Sequence, residues 1–170
     1  MSEPAAYFIT WSCYGQRLHG DRRGSVNPAH STFGQAPLDP SSRMEEYARA
    51  MLKTEPVVLS AVARSVVDET IRQHCEHRKW RLEAVNVRTT HVHVVVRAPR
   101  GKPELIMGQF KSWSTRRLRE SGLFLAQPVL WTKHGSTRYL WQESDVPAAV
   151  RYVLEMQDEA ARYRKAPWES

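Results

Sequence analysis

The sequence predicts an α+β fold, a ferredoxin-like antiparallel sheet with helices packed on it. Three observations lead there. "RLEAVNVRT" (81–89) and "HVHVVVRAP" (91–99) are strand-like runs with almost no connection between them, so they pair as an antiparallel hairpin. Stretches with helical periodicity alternate with β-branched and aromatic stretches instead of forming a block of their own. The chain has 170 residues, 41% of them hydrophobic, which is enough for one domain with a sizeable core.

Each element follows from its residues. "AAYFITWSCYG" (5–15) is aromatic and β-branched and reads as the first strand. Residues 15–42 are rich in Gly, Pro, Ser and Asn and carry Arg17, Arg22 and Arg23. They read as a long loop, part of an insertion over about 15–55 in a single domain spanning 1–170. "RMEEYARAML" (43–52) predicts a short helix, interrupted by Pro56. "LSAVARSVVDETIRQHCEHRKW" (59–80) predicts a longer one, with Ser60 as N-cap and Val62, Val66, Ile71 and Cys75 on its apolar face. After the hairpin, "PELIMGQFKSWSTRRLRES" (103–121) is a second amphipathic helix, ended by Gly122. "PVLWTKHG" and "STRYLWQ" predict two short strands around Gly135. "SDVPAAVRYVLEMQDEAARYR" (144–164) is the last helix, with Ser144 or Asp145 as cap and Pro147 tolerated in its first turn. Antiparallel strands with helices between them, in this order, suggest the ferredoxin-like arrangement.

Composition narrows the function classes. A formal charge of +7 favours a polyanionic partner, nucleic acid first. The two cysteines, Cys13 and Cys75, lie far apart in sequence and form no CxxC pattern, which fits a reducing, cytoplasmic setting. No signal peptide and no membrane-spanning run is expected.

The chemistry concentrates in "TTHVHVVVRAPR" (89–100). His91 and His93, two apart on a strand, project to one face, while Val92, Val94 and Val96 project to the other. Two adjacent imidazoles can offer nitrogens to one ion. Taken alone, the pair also reads as two polar residues on the open face of a half-buried sheet. A histidine-triad hydrolase needs a third histidine where Val95 stands, and a zinc hydrolase of the HExxH type has no matching motif.

The surroundings of the pair carry a resemblance. "THVHVVV" resembles the histidine-hydrophobe-histidine (HUH) motif of single-tyrosine transposases, the enzymes of insertion sequences and of the related REP-associated tyrosine transposases. "YFITWSCYG" resembles the opening strand of that family. "MGQFKSWSTRRL" resembles the helix after the motif, with Lys111 at a recurrent lysine. "VLWTKHGSTRYL" resembles its tryptophan-led strand, and "AVRYVLEMQ" the terminal helix that carries a tyrosine nucleophile. The resemblance covers most of residues 5–160 apart from the insertion.

The resemblance implies cleavage and rejoining of single-stranded, hairpin-flanked DNA through a 5′-phosphotyrosine. It implies Tyr152, among six tyrosines, as the nucleophile. It implies Mg2+ or Mn2+ held by His91 and His93. The family commonly places Gln or Asn four residues after the tyrosine as third ligand. Here that position is Met156, so Gln157 takes the role, with Glu155 as the alternative. Lys111, Arg116, Arg117, Lys133 and Arg138 are the expected DNA-binding cations. Trp113, Trp131 and Trp141 are candidates for stacking on bases. Family members occur as monomers and as homodimers. Two other functions compete: a catalytically impaired or domesticated hairpin nucleic-acid-binding protein, and a metal-dependent nucleotide phosphohydrolase.

Overall fold

The aromatic opening segment forms a strand that is buried on both sides, and the rest of the molecule is arranged about it. In the computed structural model, residues 2–16 and 54–155 are described. The elements are β1 (Ala6–Cys13), α1 (Ala61–Arg78), β2 (Arg81–Val87), β3 (His91–Arg97), α2 (Pro103–Glu120), β4 (Trp131–Leu140) and α3 (Asp145–Glu155). The sheet order is β2-β3-β1-β4, and every pairing is antiparallel. Such a β-α-β-β-α-β chain with its first and third strands central is ferredoxin-like.

The two faces of the sheet divide the core. Ile9, Trp11, Cys13, Val92, Val94 and Val96 pack beneath α1 and α2, against Val67, Ile71, Ile106 and Phe110. The other face holds a smaller cluster, in which Ala6, Phe8, Val95 and Leu140 meet Val146, Ala149 and Val153 of α3. The i, i+3, i+7 spacing of those three α3 residues forms one apolar stripe. Burying each large apolar side chain contributes roughly 1.5–3 kcal/mol, so the α1–α2 side carries most of the hydrophobic stabilisation.

Ser60 caps α1 as expected, its hydroxyl accepting from the Ala63 amide at 3.1 Å. The buried stripe of α1 differs from the expected one. It is Ala63, Val67, Ile71 and Cys75, an unbroken i+4 row, and Val62 is 65% exposed. Val62 sits one position, about 100° of helix rotation, behind that row, while Val66, half-buried beside it, still packs against the core. The two short strands expected around Gly135 are one continuous strand. Gly135 pairs with Trp11 inside the ladder, where a Cβ would come within 2.5 Å of the Thr10 carbonyl and 2.6 Å of Met107 Sδ. This glycine permits close approach of neighbours and does not break the strand. Gly122, by contrast, does end α2, at φ 80°.

The described residues on either side of 17–53 meet at one place. The Val57 amide donates to the Tyr14 carbonyl at 2.8 Å, and Gln16 Nε2 donates to the Val57 carbonyl at 2.8 Å. The expected helix at 43–52, the arginines at 17, 22 and 23, and the end of the last helix beyond Glu155 lie outside the described residues. No helix among the described residues is long and apolar enough to cross a membrane.

Candidate active site

Register decides which side chains share the face opposite α1 and α2. Across β1 and β3, Phe8 faces Val95, Thr10 faces His93 and Ser12 faces His91. Across β1 and β4, Phe8 faces Arg138 and Thr10 faces Ser136. Alternation therefore gathers Phe8, Thr10, Ser12, His91, His93 and Arg138 on one side of the sheet. Val95, where a third histidine would have stood, is fully buried in the α3 cluster. The face is thus apolar under α3 and polar further along, where the histidines lie.

The two imidazoles stand edge to face, their centroids 4.7 Å apart. Each is held at Nδ1 by a threonine hydroxyl: His93 by Thr10 Oγ1 at 2.8 Å, His91 by Thr90 Oγ1 at 3.0 Å. Phe8 lies nearly parallel to the His93 ring at 6.0 Å. The expectation of two imidazoles on an open face needs correcting. His93 is only 7% exposed, because the Phe8 ring and its neighbours on both adjacent strands enclose it. His91, at the hairpin end, is half-buried.

Tyr152 is half-buried on α3 and meets the opposite side of this cluster, edge-on to Phe8 at 6.0 Å. Two ties hold α3 there. Arg97 bridges Glu83 at 2.6 Å and Glu143, just before α3, at 2.7 Å. Asn86 Nδ2 donates to the Val153 carbonyl in the last turn at 2.9 Å. The hydrogen bonds to Glu143 and Glu83 raise the Arg97 pKa above its ordinary value. Arg138 is half-buried on the same face. Burial lowers its pKa, and the neighbouring Tyr152 phenol works the other way.

The structure brings together Tyr152, His91, His93 and Arg138, and it places the α2 residues Lys111, Arg116 and Arg117 on the other side of the sheet. Lys111 donates to the carbonyls of Thr132 at 2.8 Å and His134 at 3.3 Å, clamping β4 to α2, and burial lowers its pKa to about 8. Arg116 pairs with Glu120 at 3.1 Å and lies over Trp113. Arg117 donates to Gln73 of α1 at 3.2 Å. Lys133 is exposed on β4. An open groove of about 590 Å³, lined by Lys111, Thr115, Arg116, Arg119 and Trp131, lies on this helix side. The packing of α2 in the core turns its cations away from the histidine face. Trp131 is buried in the α1–α2 core, its indole bonded to Thr115 at 2.9 Å, whereas Trp113 and Trp141 are 40% and 56% exposed.

His91 and His93 suit a divalent ion as two nitrogen donors. With Nδ1 of each ring engaged by a hydroxyl, Nε2 is the atom that would coordinate. Among the described residues no group of three or more His, Cys, Asp or Glu could hold an ion. Gln157 lies outside the described residues. Glu155 is paired with Arg151 at 3.1 Å and its side chain is 64% exposed.

Sequence reasoning missed Phe8, Thr10, Thr90 and Asn86. The alternation of Phe8, Thr10 and Ser12 was visible, but what they face depends on pairing between strands some eighty residues apart.

The ferredoxin-like sheet, with a paired-histidine strand at its centre and a tyrosine-bearing helix on the same face, defines a small α+β protein of the histidine-hydrophobe-histidine class. Residues 50–152 match the family model of the IS200-like transposases, and the chain belongs to that family. It is accordingly a transposase-family protein, of a kind that cuts and rejoins DNA. Several solved structures share the fold, two of them as follows. One, from Deinococcus radiodurans R1 and described as a candidate transposase, is 13% identical with a TM-score of 0.52, covering 86% of this chain and 87% of that one. The other, a REP-associated tyrosine transposase bound to a REP hairpin, is 12% identical with a TM-score of 0.50, covering 89% of this chain and 65% of that one. A search of curated proteins finds no match.

Proposed function

We propose that this protein cleaves and rejoins single-stranded, hairpin-flanked DNA, with Tyr152 as nucleophile and a 5′-phosphotyrosine as the covalent intermediate. The observation that carries the reading is the placement of Tyr152, His91 and His93 on one face of the sheet, linked through the Phe8 ring. The hairpin-bound relative supports the choice of DNA form.

In this reading Tyr152 Oη attacks a backbone phosphorus. An O–P bond to tyrosine forms as the P–O3′ bond breaks. The phenolic proton is given up, and the departing oxygen gains one to become a 3′-hydroxyl. Each bond broken is replaced by one of the same kind, so reversal reseals the strand without an external energy source. A free phenol, with a pKa of about 10, is a weak nucleophile at neutral pH. Arg138 beside Tyr152 supplies a cation to the phosphate or to the developing phenolate. His91 and His93 would hold Mg2+ or Mn2+, which polarises the scissile phosphate when bound.

The test is incubation with labelled hairpin-flanked single strands and Mn2+, then a denaturing gel and peptide mapping. A protein–DNA adduct on Tyr152 is expected. Tight binding without an adduct would favour a binding module, and turnover of small nucleotides without an adduct would favour a phosphohydrolase.

A further inference from the structure

We propose that Thr10 and Thr90 are positioning residues that hold His93 and His91 in the Nδ1–H tautomer, presenting Nε2 of both rings to the site. This rests on the reading of the pair as metal ligands, and extends it to what prepares them.

The two contacts are alike but arise independently. Thr10 belongs to β1 and reaches His93 from the adjoining strand at 2.8 Å. Thr90 belongs to the hairpin loop and reaches the ring of its own neighbour, His91, at 3.0 Å. Both anchors are fixed by the fold. Thr10 lies within the central strand, paired on both sides. The Thr90 carbonyl accepts from the Cys13 amide at 2.8 Å, which stitches the loop to the end of β1. For His93 the ring plane is fixed too, since Phe8 stacks on it with planes only 14° apart. A ring gripped at Nδ1 and stacked on one face has little freedom to flip.

A hydroxyl can donate or accept, and the two choices have opposite consequences. If threonine donates to Nδ1, the ring proton sits on Nε2 and blocks coordination. If threonine accepts from Nδ1–H, the Nε2 lone pair faces the site. When both threonines accept, both Nε2 nitrogens are available as donors together. A hydroxyl also differs from the carboxylate often found behind a metal-bound histidine. It adds no negative charge, so a bound cation keeps more of its charge for the phosphate.

The experiment uses the full chain with 15N-labelled histidine, free of metal, and long-range 1H–15N spectra that separate the two tautomers. Both His91 and His93 are expected to show protonated Nδ1 and unprotonated Nε2. Thr10→Val is expected to shift His93 alone toward the Nε2–H form, and Thr90→Val to shift His91 alone. Each should weaken Mn2+ binding by calorimetry about 10–100-fold. Thr10→Ser, which restores the hydroxyl, should recover both readouts, whereas a defect of packing alone would not be recovered. If Thr10→Val does not fold, Thr90→Val and Thr10→Ser carry the test. Nε2–H tautomers in the wild type would overturn the proposal. So would valine variants whose tautomers and Mn2+ affinity match the wild type. A wild type with both rings Nδ1–H but no Mn2+ binding would leave the threonine assignment standing and remove the metal reading instead.

Discussion

Tyr152 meets Phe8 edge-on, the centroids 6.0 Å apart and the planes at 83°. The ring makes this contact, and the phenolic oxygen takes no part in it. Tyr152→Phe is therefore expected to keep its fold, with a stability loss of about 1 kcal/mol or less, to keep its DNA affinity, and to form no covalent adduct. Thermal melts, binding titrations and denaturing gels check the three parts. Adducts persisting in the Phe variant would mean that another tyrosine attacks.

His91 and His93 should respond unequally to removal. His93 is buried, stacked on Phe8 and bonded to Thr10, so His93→Ala leaves a hole and a hydroxyl deprived of its ring partner. A loss of about 1–3 kcal/mol is expected, and less for the half-buried His91. Both variants should lose Mn2+ binding. Urea unfolding and calorimetry distinguish this from two equally dispensable surface histidines, which would both leave the midpoint unmoved.

Lys111 makes stability depend on alkaline pH. Its folded pKa is lowered by burial from 10.5 to about 8. Between these values the unfolded chain binds more protons at this site than the folded one, so Lys111 adds stability as pH rises from about 8 toward 10.5. Below about 8 that contribution is absent. Lys111→Met should remove this rise and also loosen β4, by removing the bonds to the Thr132 and His134 carbonyls. The difference between wild-type and variant unfolding energies, followed with pH, reads the effect. A difference that does not vary with pH would refute it.

Charge on the two sides of the sheet should matter differently for DNA. Arg138 shares a face with Tyr152, while Arg117 binds Gln73 on the helix side. Arg138→Ala is expected to weaken binding to all single strands alike. It should flatten the slope of log K against log salt by up to roughly 0.7 for each phosphate that the variant no longer neutralises. Arg117→Ala should leave the slope near that of the wild type. Salt titrations with one hairpin and one unrelated strand decide it, and the reverse ranking would move the DNA path to α2.

Gly135→Ala should disturb the site from behind. The added Cβ would press on the Thr10 carbonyl and on Met107 Sδ, both of which are packed. A destabilisation of roughly 1–3 kcal/mol is expected, together with a change in the His93 imidazole resonances, because Thr10 holds that ring. An unchanged melting temperature would show that β4 yields without cost.

Much of the fold is legible in the sequence because its signals are local. Hairpin strands joined by three residues have few other ways to pair. Ser60 before an apolar row starts a helix, and Gly122 past its end stops one. Less legible is the meaning of Gly135, which reads as a break until Met107 and Thr10 are known to lie against it. The phase of α1 is ambiguous for a related reason: Val62 and Ala63 are both apolar, and only the sheet beneath selects which one is buried.

For the site, the sequence by itself determined the chemical inventory. Alternation on one strand puts His91 and His93 on the same side and the valines 92, 94 and 96 on the other, whatever the strand pairs with. Tertiary structure alone decided what surrounds them. The pairing of β1 with β3 brings Thr10 to His93 and Phe8 between His93 and Tyr152, contacts between residues more than eighty positions apart that no local pattern encodes. It also placed α2, with Lys111, Arg116 and Arg117, on the far side of the sheet. A helix buries the face that best fills the core, and its cations follow wherever that packing turns them.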